Sequence, residues 1–384
     1  MPENEEIPFA TEEETDDEPY APSYEINERE VYTTPADPDV ETLLNRIEAK
    51  HLILRPDFQR ASVWTVKQKS RLIESLLLNL PIPPCFLAED EDGTRVVVDG
   101  QQRIGAIDDF YHGRFALTDL QVLKDLNGST WSTLPPKLDR KILQRVVRTL
   151  VISQHSNPGI RFEIFERLNT GGEPLTEQEI RNATLRGSFN ALLNKLAKSP
   201  QFLSAVGAGK ADARLRHHEL ILRFFAVKDA IGDYKPPLKM ILSEFMRKNR
   251  RANDAEIAEF ERMFITALEN SHLAFGGNEF RKFRIKQDAP AYESAISKAV
   301  FELQMISLSF LAPTDCSARA VEIKRSFEEL SLQSQEFVES LSRATDHRTR
   351  FYKRLRLWSE KLLSIGLGDR LSRALPRNTD TEQG

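Results

Sequence analysis

Eight residues constrain this chain more than any others: Val96-Val97-Val98-Asp99-Gly100-Gln101-Gln102-Arg103. The β-branched run reads as a buried strand and the glycine as a turn. Ile104, Ile107, Phe110 and Tyr111 then follow at helical spacing, up to a stop at Gly113. A strand that enters a helix through glycine presents unbonded backbone N–H groups at the helix start, where an anion is stabilised. Gly100 permits close backbone approach, and Arg103 can grip phosphate oxygens in a bidentate manner. Asp99 can cap the helix, orient Arg103 or hold a divalent ion through water. The amides of Gln101 and Gln102 donate and accept, and two glutamines in a turn call for a polar ligand or network. An architectural reading carries equal weight locally: Asp99 as a simple N-cap and Arg103 as a partly buried ion-pair residue.

Two further segments repeat parts of this chemistry. Asp57-Phe58-Gln59-Arg60 with Trp64 again sets an acid, an amide and an arginine beside an aromatic. It either doubles the anion site or forms a surface loop with Phe58 and Trp64 tucked inward. Asn169-Thr170-Gly171-Gly172 precedes a helix whose start is marked by the Thr176/Glu179 capping box, a place for phosphate or base contact and equally for a plain helix-loop-helix turn. Other signals fail on inspection. Gly207-Ala208-Gly209-Lys210-Ala211 has Ser204 where a phosphate loop needs its first glycine, and Ala211 where it needs a magnesium-binding hydroxyl. His217-His218 and Asp346-His347 lack metal or nuclease spacing, so no metal ligands are assigned. No nucleophile elbow is present.

The organisation follows from periodicity and charge. Residues 1–30 contain twelve Asp or Glu against one Arg, a net of −11, while the remaining 46 acidic and 52 basic residues make the rest about +6. Residues 1–38 therefore read as an acidic arm without a core of its own. A basic body invites phosphate-bearing partners, with the arm either competing for that surface or keeping the chain soluble. The pattern predicts a helix over 40–53, a capped helix from Thr65 to Leu80, a hairpin of 85–88 with 95–98, and a strand over 146–153. A helix is expected over 160–168, and beyond Ser188 almost every segment is helical, including 218–231, 255–268, 291–311 and 351–363. The expected class is α+β: a small mixed α/β domain over 39–135, a mainly helical domain over 136–375 and a tail over 376–384. No run reaches the ~18 apolar residues of a membrane span, and the acidic N-terminus resembles neither a secretory signal nor a transit peptide, so a cytoplasmic protein is expected. Cys85 and Cys316 stand alone and are expected to be buried reduced thiols.

Taken together, Pro56-Asp57-Phe58-Gln59-Arg60, Val63-Trp64, Leu72-Ile73-Glu74-Ser75-Leu76, Pro81-Ile82-Pro83-Pro84 and Asp99-Gly100-Gln101-Gln102-Arg103 resemble the N-terminal domain of GmrSD-type modification-dependent restriction enzymes and related phage-defence proteins. Arg161-Phe162-Glu163, Asn169 to Gly172, Leu175 to Asn182 and Glu219 to Phe224 extend the resemblance over roughly residues 40–310. It implies a ParB/sulfiredoxin-like fold and a motif associated with nucleotide binding and hydrolysis, carried here by Asp99, Gly100, Gln101, Gln102 and Arg103. Sulfiredoxin's cysteine position is Gln101 here, so that chemistry is not expected. Relatives that cut DNA append a His-Asn-His nuclease domain, and no such motif follows residue 310.

These readings converge on a nucleotide-binding and nucleotide-hydrolysing component of a DNA restriction or phage-defence system. It would use a nucleoside triphosphate with magnesium and rely on a separate nuclease or defence subunit. Asp99, Gln101, Gln102, Arg103 and Asp57 are the expected catalytic residues, and Gly100, Arg103, Gln59, Arg60 and Asn169 the phosphate contacts. DNA is the expected macromolecular partner, met by basic clusters that include Arg250, Arg251, Lys282 and Arg284. Two alternatives stay open: a non-enzymatic ParB-like DNA-binding or regulatory module, and an endonuclease that uses the ParB-like domain itself.

Overall fold

The computed structural model describes residues 32–54, 64–90, 92–153, 156, 164, 176–210, 215–342 and 344–376. The fold is α+β, and its contacts divide between Thr184 and Leu185 into two compact units.

The first unit runs β1 Thr33–Ala36, α1 Val40–Glu48, β2 Leu52–Ile53, α2 Val66–Leu78, β3 Cys85–Glu89, β4 Arg95–Asp99, α3 Gln101–Tyr111, α4 Pro136–Leu143, β5 Thr149–Ile152 and α5 Glu177–Thr184. Local chemistry sets these limits. Asp39 caps α1, its Oδ1 accepting from the Thr42 amide at 2.8 Å, and Thr65 with Gln68 closes a reciprocal capping box on α2. Asn79 ends α2 in the left-handed region just before Pro81. Helix α1 stops at Glu48, five residues short of the expected end at Ile53. Lys50 turns to φ 58°, and Leu52 and Ile53 leave to pair with β4.

The five strands form a mixed sheet in the order β1-β5-β3-β4-β2. β3 is antiparallel to β4 and parallel to β5, which in turn is antiparallel to β1. Val96, Val97 and Val98 are all buried because both faces of β4 are covered. On one face Leu87, Val97 and Val151 meet Leu43 and Leu44 of α1, Ile73 and Leu76 of α2, and Ile104, Ile107 and Phe110 of α3. On the other, Ala88, Val98 and Ile152 meet Ile180 of α5. A division at residue 135 therefore cuts through one core: β5 and α5, both past that point, complete this sheet and its second face.

A buried carboxylate braces this unit. Glu74, 6% exposed on the apolar side of α2, accepts backbone N–H bonds from Gln121 (3.3 Å), Val122 (2.8 Å) and Leu123 (2.8 Å). Burial pushes its carboxyl up, but these donors and nearby Arg71 outweigh it and hold the group below its usual value of 4.5. A depressed folded value stabilises above the unfolded value and is lost as pH falls through the folded one. Glu74→Gln is expected to cost about 2 kcal/mol near neutral pH, because all three amides lose a charged acceptor and the side-chain nitrogen that replaces one oxygen cannot accept at all. Urea midpoints measured from about pH 6 down to about pH 3 should fall more steeply for wild type than for the variant. Parallel profiles would remove Glu74 from the acid response.

The second unit contains α6 Ser188–Ala197, α7 Pro200–Ala205, α8 Arg216–Asp229, α9 Leu238–Lys248, α10 Asp254–Phe275, β6 Arg281–Lys286, β7 Ala289–Ile296, α11 Lys298–Leu308, α12 Pro313–Ala318, α13 Ala320–Gln333, α14 Gln335–Ser340, α15 Arg348–Ser364 and α16 Asp369–Ala374. In its core Phe189 meets Phe245 and Phe260 edge to face, at 5.3 Å between ring centres in each pair, Phe225 meets Phe260 in the same way, and Phe264 lies tilted against Phe225. α8 is buried from Leu220 to Val227 and α11 along its length from Ala299 to Leu308, so both are central helices. Each carries a charge into that core, and the charges meet. Arg223 donates to Glu302 at 2.9 Å, to Glu219 at 3.0 Å and to Asp346 at 3.3 Å, while Arg354 of α15 reaches the other Glu302 oxygen at 2.9 Å.

The helix expected over 291–311 is two elements. Tyr292 and Ile296 belong to β7, and Ser297, whose Oγ accepts from the Val300 amide at 3.4 Å, caps a new helix that begins at Lys298. The basic run 281–286 is the partner strand β6. Both cysteines are free and buried. Among the described residues no helix is long and apolar enough to cross a membrane.

Candidate functional site

β4 ends at Asp99, and α3 starts at Gln101 with Gly100 between them at φ 95°. Gly100, the N-cap residue of α3, has no side chain with which to cap it, and the amides of a helix's first turn have no intrahelical acceptors. Asp99 does not act as the N-cap. It pairs with the Arg103 guanidinium one turn on, and the two side chains remain 27% and 14% exposed, respectively. The pair folds back across Gly100: a Cβ added there would stand 3.2 Å from Arg103 Nη2, and beneath it 2.4 Å from Cys85 Sγ. Left-handed backbone, a thiol below and a guanidinium above all require glycine at this position.

The glutamines serve the architecture as well as the opening. Gln101 Nε2 donates to the Val97 carbonyl at 3.0 Å, tying the helix start back to β4. Gln102 Oε1 accepts the Trp64 amide at 3.2 Å, fixing residue 64 beside the first turn of α3. The Cys85 thiol is pushed up to about 11, by burial above all, with Asp99 adding and Arg103 subtracting. It stays protonated at neutral pH and is no nucleophile. Chemically, the junction offers a guanidinium, a carboxylate and the amides of a helix start at a partly exposed point, the equipment of an anion site.

Of the other expected site residues, Asp57, Gln59, Arg60 and Asn169 lie outside the described residues. The basic positions are placed, with differing roles. Arg250 Nε donates to the Arg186 carbonyl at 2.6 Å, and the Arg250 carbonyl lies where a Cβ on Gly187 would fall, so this arginine fastens a helix junction. Arg251 is exposed, Lys282 is buried at 5%, and Arg284 is exposed but paired with Glu293 at 3.0 Å. Nearby cations are also engaged: Arg247 with Glu244, Lys248 with Asp229 and Lys361 with Glu329. Among the described residues no group of three His, Cys, Asp or Glu side chains stands ready to hold a metal ion.

Sequence reasoning missed two features. Cys85 was read only as a buried thiol, and its place under Gly100 depends on the β3–β4 register, which pairs Phe86 with Asp99. Helix α5 buries Gln178, Glu179, Arg181 and Asn182, with Arg181 bonded to Gln178 at 3.1 Å and Glu177 at 2.6 Å. Four polar side chains around a single buried Ile180 was the available signal, since an ordinary amphipathic helix would turn them outward.

No curated protein matches the chain. A family model does, described as GmrSD restriction endonuclease, N-terminal domain, and it matches residues 40–186, nearly the span of the sheet-containing unit that ends at Thr184. The strand-glycine-helix junction and the buried polar helix α5 thus lie in one matched domain, and over residues 40–186 the chain matches the GmrSD-type N-terminal domain.

Proposed function

We propose that this chain is a nucleotide-binding and nucleotide-hydrolysing component of a DNA restriction or phage-defence system, with its helical unit contacting DNA. The observation that carries the reading is the strand-glycine-helix junction at the start of α3, where Arg103 is held by Asp99 at a partly exposed point of the matched domain. A nucleoside triphosphate would set a phosphate against the amides of residues 101–103 and take Arg103 as its counter-charge. Asp99 would then orient Arg103 and hold a phosphate-bound magnesium through water. Gln101 Oε1, with Nε2 already committed to Val97, would accept from the attacking water.

A non-enzymatic binding module is favoured by one specific observation: Asp99, Gln101 and Gln102 each already have a partner within the protein. Equilibrium binding of fluorescent nucleotides with magnesium tests the site under either reading. Arg103→Ala is expected to weaken binding about tenfold, the value of one charged hydrogen-bonded contact. Asp99→Ala should follow in the same direction. Unchanged affinity in both variants would remove the junction from nucleotide recognition.

A further inference from the structure

Arg103 has a second anchor, and the sheet supplies it. Besides pairing with Asp99, its guanidinium donates to the Cys85 sulfur. The two anchors differ in rigidity. Asp99 is 27% exposed, and a carboxylate met near the surface holds a long side chain only weakly. Cys85 is fully buried in β3, whose amide at that residue donates to the Arg148 carbonyl at 2.9 Å, and β3 is paired on both sides, with β4 and with β5. Gly100 is the passage between thiol and guanidinium, because a Cβ there would stand 3.2 Å from Arg103 Nη2 and overlap the sulfur.

A thiol suits this place for an electrostatic reason. Protonated at neutral pH, it accepts without cancelling the charge of Arg103, whereas a second carboxylate would set the junction against an anion. Two protein partners leave donors of the five-donor guanidinium for a phosphate. Sulfur is a weak acceptor, so its effect is orientation: it holds still a side chain that would otherwise lose its rotamer freedom when the ligand binds. We propose that Cys85 is a positioning residue for Arg103, setting the guanidinium over Gly100 before a nucleotide phosphate arrives.

This rests on the reading of the junction as a nucleotide site, and the test separates the two. Affinity of the full-length protein for a fluorescent ATP analogue with magnesium is measured in wild type, Cys85→Ala, Cys85→Val, Cys85→Ser, Arg103→Ala and the Cys85→Ala/Arg103→Ala double variant, with thermal unfolding recorded for each. Alanine and valine both remove the acceptor, valine while keeping apolar volume, and each should weaken binding about threefold. Serine restores an acceptor and should bind as wild type does, whatever its stability. Beside Arg103→Ala, Cys85→Ala should cause no further loss, because it acts through the guanidinium. Wild-type affinity in Cys85→Val, a loss that serine shares, or a loss that persists beside Arg103→Ala reduces Cys85 to core packing and leaves the nucleotide site standing. Unchanged affinity in Arg103→Ala overturns the positioning role, and unchanged affinity in Asp99→Ala as well overturns the site. No binding by wild type overturns both.

Discussion

Gly100→Ala is expected to destabilise the sheet-containing unit by about 3 kcal/mol. Roughly 1–2 kcal/mol comes from placing a Cβ on a left-handed residue, and a comparable amount from overpacking, because that Cβ would stand 2.4 Å from Cys85 Sγ and 2.9 Å from Cys85 Cβ. The second-site control distinguishes the two sources. Cys85→Ala removes the sulfur but neither its own Cβ nor the φ of 95°, so the double variant should regain only part of the loss. Urea unfolding followed by tryptophan fluorescence measures both. A Gly100→Ala protein as stable as wild type would mean that the turn is not held as described. Full rescue by Cys85→Ala would assign the whole cost to the sulfur.

The second large effect lies in the helical unit. Glu302 is the shared acceptor of two buried guanidiniums, Arg223 and Arg354, at 2.9 Å each. Glu302→Ala leaves both charges in the core of α8, α11 and α15 with their main acceptor gone, which costs about 3–5 kcal/mol where one partner of a buried pair is removed. The pair need not be a net stabiliser, because desolvation of all three groups opposes it. Consequently, Glu302→Leu combined with Arg354→Met should be more stable than Glu302→Ala alone, although Arg354 also donates to the Thr345 carbonyl at 2.5 Å and that bond is lost. The urea midpoint of the full chain reports each variant. Equal midpoints for wild type and Glu302→Ala would contradict the cluster as drawn.

What could be read from the sequence was whatever the chain encodes locally. The Thr65/Gln68 and Thr176/Glu179 boxes, the β3–β4 hairpin and the glycine between strand and helix rest on residues within a few positions of one another, and all are present. The strand in 146–153 was also legible, but not its destination between β1 and β3, because pairing across more than sixty positions leaves no periodic trace. For that reason the small domain looked complete at residue 135. The site was legible in its residue types and not in their bonds. Asp99 and Arg103 read as possible partners, and they are, whereas the attachment of Gln102 to Trp64 and the seat of Gly100 on Cys85 needed the folded register. In the helical unit, basic runs looked like a free phosphate footprint because sequence counts charges and not their partners. Glu244, Asp229 and Glu329 neutralise several of them. The second strand of the 281–296 hairpin was hidden in the run Ala291 to Leu311, whose apolar density mimics one long helix until Ser297 resets the start.

The most direct test of the central claim is phosphate release from a panel of ribonucleotides with magnesium, with and without DNA, comparing wild type with Asp99→Ala and Arg103→Ala. The account predicts turnover by wild type and its loss in both variants, with their folded stability retained. No turnover by wild type under any of these conditions, while DNA binding persists, would contradict hydrolysis and leave the junction as a binding site alone.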